Sequence, residues 1–296
     1  MDPTEKPRIH HRAAHEYVVW VIGLLLFAGI AYTLVTNPRY EWSVIGRYLV
    51  ASTVLKGLLL TVWMTLLVML IATLLGLVVA VMRSSRVLPV RILAIGYINL
   101  FRGTPVLVQL ILWFNIAALY PNIRLGIPFT SIGTALNTNA LISATTAAII
   151  GLSLNEAAYM SEIVRGGFNS VPKGQLEAAD SLGMSEGMKL RRVIIPQSMP
   201  TIIPATGNQL TSMLKETSLV SVLGVGDLLQ SVQLISARNY QVIPLLLVAS
   251  IWYLVVSILL SYPQAKIEAH YDKSRRSVQA GAQELITDPT LLERAT

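Results

Sequence analysis

Apolar residues in this chain come in long unbroken blocks, without the one-faced or alternating patterns of soluble domains. The first, YVVWVIGLLLFAGIAYTLVT, covers Tyr17–Thr36, and others run from about Lys56 to Met82, Ile92 to Tyr120, Leu141 to Phe168, Val193 to Leu214 and Tyr240 to Tyr262. A helix crosses a bilayer with roughly 20 predominantly apolar residues, and each block reaches that length. The pattern predicts an all-α polytopic membrane protein with about six transmembrane helices. A membrane β-barrel would instead show alternating segments of about ten residues. The first block is too long for the apolar region of a signal peptide and no small-residue cleavage site follows it, so it reads as a retained helix.

Two blocks are interrupted. FRGTP (Phe101–Pro105) breaks the third, and broken helices at membrane depth persist only where they line protein or water. KETSLVSVLGVGDLLQSVQLISAR, after the fifth block, is apolar but holds Asp227 and two glycines, and reads as a partly embedded re-entrant segment. Between blocks, NPRYEWSVIGRYLVAST reads as a polar connection, residues 121–139 as a turn-rich loop and the tail from Pro263 as polar and loosely ordered. The chain divides into an N-terminal segment with the extra first helix (1–55), a transmembrane domain (56–262) and a C-terminal tail (263–296).

Composition agrees with this class: 53% of the 296 residues are hydrophobic, 13% are charged and mean hydropathy is +0.59. Soluble chains carry about 25% charged residues. With no cysteine, disulfides and thiolate metal sites are excluded, and the four histidines lie in polar tails, away from any block. The net charge of +7 need not mean nucleic acid. Most of the Lys and Arg fall at Lys6, Arg8 and Arg12, at Arg83, Arg86 and Arg91, between Arg165 and Arg192, and beyond Lys266. With six spans these segments share one side, which the positive-inside rule makes the cytoplasm. Both termini are then cytoplasmic and no nucleic acid is expected.

The stretch at about 170–196 is crowded with charge between two apolar blocks, so it forms an exposed cytoplasmic loop. Pro172 suits a first helical turn with Ser170 as N-cap. KGQLEAADSL then forms a short helix closed by Gly183 as the C′ residue. Leu176, Ala179 and Leu182 give it a small apolar strip, which needs a second surface to bury it.

EAADSLGMSEGMKLRRVIIP resembles the EAA signature of permease subunits of bacterial ATP-binding cassette importers, with Glu177, Ala178, Ala179, Gly183 and Pro196 at the matching positions. Val193 and Ile195 stand where Ile and Leu are usual. FRGTPVLVQL, NEAAYMSEIVRGGFNSVPKGQ and MLKETSLVSVLGVGDL are similar to the polar amino acid branch of that family, the histidine, glutamine and arginine type. Glu216 replaces an Asp usual there. The resemblance covers roughly Lys56 to Tyr262. It implies the type I importer permease fold, and a loop that acts as a coupling helix docking on an ATP-binding subunit. The implied partners are that ATPase, which binds ATP and Mg, an extracytoplasmic amino acid binding protein and a second permease subunit, alike or different, in the cytoplasmic membrane. This chain has no cofactor and no nucleotide loop of the G-x-x-x-x-G-K-[ST] kind.

An amino acid carries an ammonium and a carboxylate, so a site for it needs both signs. Arg102 beside the FRGTP break suits a carboxylate, and Glu156 in the fourth block suits an ammonium or a cationic side chain. Thr104, Gln109, Asn155, Tyr159 and Lys215 are their polar neighbours. Charges within spans are costly and usually functional. Glu162 and Arg165, three apart on one helix, read instead as a structural pair. The alternative function, a secondary ion-coupled transporter, would show two internal repeats with paired broken helices, and no repeat is visible.

Overall fold

The computed structural model describes residues 14–126 and 133–287. The basic residues Lys6, Arg8, Arg12 and Arg294 and the middle of the 121–139 loop lie outside them. The chain runs α1 (Ala14–Thr36), α2 (Trp42–Leu49), α3 (Ser52–Arg83), α4 (Leu88–Gly103), α5 (Val106–Phe114), α6 (Ile116–Leu119), β1 (Asn122–Gly126), β2 (Gly133–Asn137), α7 (Thr138–Leu141), α8 (Ala144–Asn169), α9 (Lys173–Ser181), α10 (Glu186–Lys189), α11 (Ile195–Glu216), α12 (Leu228–Asn239) and α13 (Val242–Thr287).

Among the described residues three helices, α1, α3 and α13, are long and apolar enough to cross a membrane alone. Two bent pairs, α4 with α5 and the run Glu186–Leu223 with α12, raise the number to five. The fourth expected span, α8, falls outside that set because it is rich in Ala, Gly and Ser, yet it is the centre of the bundle. Half of its 26 residues are buried, and α3, α4, α5 and α11 all pack on it. Shielded by protein, it needs no lipid-compatible face.

Close approach explains its composition. Without a hydrophobic drive between helices in lipid, association relies on packing of small residues. A Cβ at Gly76 of α3 would lie 2.6 Å from Met160 Cβ and 3.0 Å from the Ala157 carbonyl, and one at Gly151 of α8 would meet the Leu110 side chain at 2.8 Å. Around these contacts Met64, Val68, Leu110, Leu152, Met160 and Met213 form one core. A second, built from Ile45, Val54, Leu228, Val232, Leu245 and Val248, joins α2, α3, α12 and α13. The opposite face of α3, with Leu59, Trp63, Leu66, Leu70 and Leu74, is exposed for lipid.

Several connections carry more structure than their sequence suggests. The polar connection after α1 contains α2, whose Ile45 reaches the second core. The 121–139 loop contains an antiparallel hairpin pairing Asn122 with Asn137 and Gly126 with Gly133. The tail is not loosely ordered: α13 passes through Pro263 to Thr287. The segment after α11 is a 3-10 turn, Thr217–Leu223, then left-handed Gly224 and Gly226 (φ +79° and +85°), then α12 bent by 46° from the preceding helix. Asp227, fully buried, caps α12 by accepting from the Leu229 and Gln230 amides at 3.0 and 3.3 Å, which accounts for a carboxylate there without a ligand.

Candidate functional site

The FRGTP break turns α5 away from α4 by 102°. Pro105 offers no amide hydrogen, and such a turn leaves carbonyls without helical partners. Two side chains take them up. Gln109 Nε2 donates to the Phe101 carbonyl (3.0 Å), the Thr104 carbonyl (3.1 Å) and Thr104 Oγ1 (2.7 Å), while Asn155 Nδ2 donates to the Phe101 carbonyl (2.8 Å) and to Gln109 Oε1 (3.1 Å). Buried polar groups persist where they are so bonded. Gln109 and Asn155 thus splint the break and tie it to α8.

That splint presents Arg102 to a cavity of about 320 Å³, lined by Arg102, Thr104, Asn155 and Tyr159 together with Glu216. The guanidinium lies over the Tyr159 ring, 5.1 Å from its centroid, an arrangement worth about 0.5–1 kcal/mol at exposed sites. A planar fork with open donors beside a carboxylate across the cavity offers both charges that a zwitterion requires.

The expected pairing of Arg102 with Glu156 is not what the fold places together. Glu156 is fully buried on another face of α8, where Oε2 accepts from Gln209 Nε2 at 2.9 Å and Oε1 has no hydrogen-bond partner among the described residues. The acidic residue at the Arg102 cavity is Glu216, the last residue of α11, immediately before the 3-10 turn. Nothing local in the sequence shows that the end of α11 lies against the α4–α5 break. Lys215, next in the chain, faces a separate polar groove with Asn208, Gln264 and Glu268.

Glu162 behaves as a structural group. It pairs with Arg165 at 2.6 Å and also with Arg83 at the end of α3, so it ties the ends of α3 and α8 together.

At the same end stands the charged loop. α9 has Pro172 at its N-cap position, while Ser170 serves the preceding helix, its Oγ donating to the Gly167 carbonyl at 2.7 Å. The expected Ser170 N-cap is therefore replaced by Pro172, because α8 runs on to Asn169 and uses Ser170 itself. The C-terminus closes as a Schellman motif: the Met184 amide donates to the Ala179 carbonyl (3.1 Å), the Gly183 amide to that of Asp180 (3.0 Å), and Gly183 has φ +65°. Lys189 Nζ reaches back to Asp180 at 2.7 Å and locks α10 against α9; that hydrogen bond raises the Lys189 pKa above its ordinary value. Ala179 is buried, whereas Glu177 and Ala178 are exposed and Leu182 is 81% exposed. Pro196 sits in the first turn of α11, just after a π-helical turn (Leu190–Ile194) that joins α10 to α11, so its missing amide hydrogen falls at that irregular junction.

A family model described as binding-protein-dependent transport system inner membrane component matches residues 72–272. The chain belongs to this family. It is 40% identical over 266 residues to the arginine transport system permease protein ArgU of Corynebacterium glutamicum, covering 88% of this chain and 83% of that protein. It is 37% identical to the L-cystine transport system permease protein TcyB of Bacillus subtilis, over 73% of this chain and 86% of the relative. A crystal structure of an amino acid ABC transporter with histidines matches with a TM-score of 0.65 and 35% identity, covering 74% of this chain and 94% of that one. The protein is thus a multi-pass permease subunit with the type I importer fold, not an enzyme in itself and not a secondary transporter. The family model begins at residue 72, so α1 and the connection after it lie outside the matched region.

Proposed function

We propose that the chain is the membrane subunit through which an ATP-driven importer moves polar or cationic amino acids into the cell, with both termini cytoplasmic. What carries this reading is the exposed α9–α10 hairpin. A helix closed by a Schellman turn, clamped by Lys189 and leaving Glu177, Ala178 and Leu182 uncovered, is a rigid knob that needs a partner surface, and it hangs from the helices that bear the cavity. An ATP-binding subunit docked there would push α8 and α11 directly, since the knob is spliced between them. ATP and Mg belong to that partner, and a second permease copy and an extracytoplasmic binding protein complete the assembly.

At the cavity, Arg102 takes the substrate carboxylate and Glu216 takes the ammonium or a cationic side chain. Asn155, Gln109 and Thr104 hold the α4–α5 break in shape, Tyr159 supports the guanidinium, and Glu156 remains in the bundle as a structural partner of Gln209. The names of ArgU and of the amino acid transporter structure support this substrate class. The test is reconstitution in proteoliposomes with an ATP-binding subunit that co-purifies with the permease and an amino acid binding protein from the same organism. ATP-dependent uptake of arginine, lysine or glutamine is expected. Uptake driven by a proton or sodium gradient without ATP, or no uptake of any amino acid with ATP, would sink the proposal.

A further inference from the structure

We infer that the permease carries a binding site for an anionic phospholipid, in a groove on its membrane face that is separate from the Arg102 cavity. The groove encloses about 780 Å³ between α3, α8, α11 and α13, with Leu70, Val164, Ile203, Leu260 and Pro263 among its walls. Three polar side chains lie in the lining, and all are already engaged. Thr73 Oγ1 donates to the Met69 carbonyl at 2.7 Å and Thr206 Oγ1 to the Ile202 carbonyl at 2.9 Å, while Gln264 Nε2 donates to Asn208 and Glu268 at 2.9 Å each. The groove therefore offers few free donors to a polar occupant. Its α11 wall runs from Ile195 to Leu210, about 22 Å at 1.5 Å per residue, and a single leaflet contributes about half of the roughly 30 Å hydrocarbon core. An acyl chain fits along it. Leu66, Leu70 and Leu77 are 46–59% exposed and continue into the lipid face of α3, so the groove opens sideways into the bilayer.

Charge at one end of the groove selects the lipid. Arg191 and Arg192 are exposed one turn before Ile195, and Lys266 is exposed beside Ile267, its ammonium 4.6 Å above the Tyr262 ring. None of the three has a carboxylate partner among the described residues, whereas Arg83, Arg86, Arg165 and Lys189 each do. Unpaired cations at the mouth of an apolar slot between helices are the signature of an anionic headgroup site. The phosphate would rest on Arg191, Arg192 and Lys266 with its chains between α3 and α11. A lipid held there would brace the part of α11 that Pro200 and Pro204 weaken.

This site does not depend on the transport reading, and its test measures lipid. Full-length protein is exchanged into nanodiscs of phosphatidylcholine with a minor fraction of phosphatidylglycerol, returned to detergent, and the retained lipid is read by native mass spectrometry. Phosphatidylglycerol is expected to be retained in clear preference. Arg191→Gln, Arg192→Gln and Lys266→Gln should each lower that preference about fivefold, while the charge-keeping Arg191→Lys and Arg192→Lys retain most of it. Ile203→Trp, which fills the groove, should lower retention of both lipids. Equal retention of the two lipids by the unmodified protein, or a preference that survives both the charge removals and Ile203→Trp, overturns the site. So does a photo-crosslinker at position 203 that captures a second copy of the chain and no lipid.

Discussion

α1 and α8 reverse the rule that the most apolar segment lies deepest. The most hydrophobic stretch of α1 has a mean hydropathy of 2.4 and none of it is buried. α8 does not reach the hydropathy of a membrane span, yet it carries Asn155, fully buried Glu156 and most of the central packing. In water, burial follows hydropathy because the alternative to the core is solvent. In a bilayer the alternative is hydrocarbon, so a Leu-rich helix gains nothing by leaving it. Polar side chains and small residues that let backbones touch are then what mark the interior.

The sharpest way to break this comparison is the same substitution in each environment. Gly76→Leu drives a side chain into Met160 and the α8 backbone at Ala157, a clash that a flexible side-chain tip cannot relieve. Overpacking of this kind costs about 1–3 kcal/mol or more, and the expected outcome is loss of the monodisperse peak in size-exclusion chromatography of the detergent-solubilised protein. Gly29→Leu in α1 meets nothing within 4 Å and should leave that peak unchanged. Equal effects at the two positions would refute the contrast.

The next largest effect is expected at the loop, where the exposed knob is proposed to meet the ATP-binding subunit. A Cβ at Gly183 meets open space, so a side chain there obstructs nothing. The cost is conformational, about 1 kcal/mol for a non-glycine residue at φ +65°, and falls on the knob alone. Gly183→Asp, which also adds a charge near Glu177 and Asp180, should remove most ATP-driven uptake while the permease keeps its melting temperature. Parental uptake with the ATPase bound would show that this turn does not transmit motion.

These two positions also show how far the residues alone could be read. Block lengths and the Gly and Pro breaks identify the spans, because helix length and missing amides are local properties. The EAA stretch is legible for the same reason: its helix, C′ glycine and charges lie within 20 residues. The site was only half legible. Arg102, Asn155 and Gln109 stand out as polar groups near a break, but which face of α8 meets that break depends on packing among four helices. That packing decides that Glu156 turns to Gln209 and that Glu216 reaches the cavity. α2 escaped notice because Ile45 inserts into a core formed by helices far along the chain.

The division of labour between the two acids gives a smaller effect that sharpens the site. Glu216→Gln removes the carboxylate facing Arg102 and should lower uptake of arginine and lysine more than that of neutral amino acids. Glu156→Gln keeps a hydrogen-bonding oxygen for Gln209 and removes a buried charge, so it should leave the ratio of cationic to neutral uptake unchanged. Competitive uptake of labelled arginine and glutamine separates the cases. A shift of that ratio by Glu156→Gln and not by Glu216→Gln would return the substrate role to Glu156.

The smallest effect is expected from removing α1 altogether. A protein starting at Asn37 loses a helix that contributes no residue to either core, and the Thr33 and Thr36 hydroxyls lost with it are bonded within α1 itself. What the remainder gives up includes the hydrogen bonds from Trp42 Nε1 to the Leu34 carbonyl at 2.9 Å and from the Asn37 amide to the Thr33 carbonyl at 3.1 Å, each worth about 0.5–1.5 kcal/mol. For a protein of this size that corresponds to a fall of about 2–4 °C per kcal/mol in melting temperature. Tyr40 still stacks on Trp42 at 5.8 Å between ring centroids, and α2 keeps its place through Ile45 in the second core. Orientation should hold as well, because Arg83, Arg86, Arg91, Arg191 and Arg192, which set the proposed sidedness, are all retained. Thermal scanning of the truncated permease, with co-purification of the ATPase as a second readout, measures the change. A collapse of many degrees, or loss of the partner, would mean that α1 covers a protein surface in the assembled importer and is not simply dissolved in lipid.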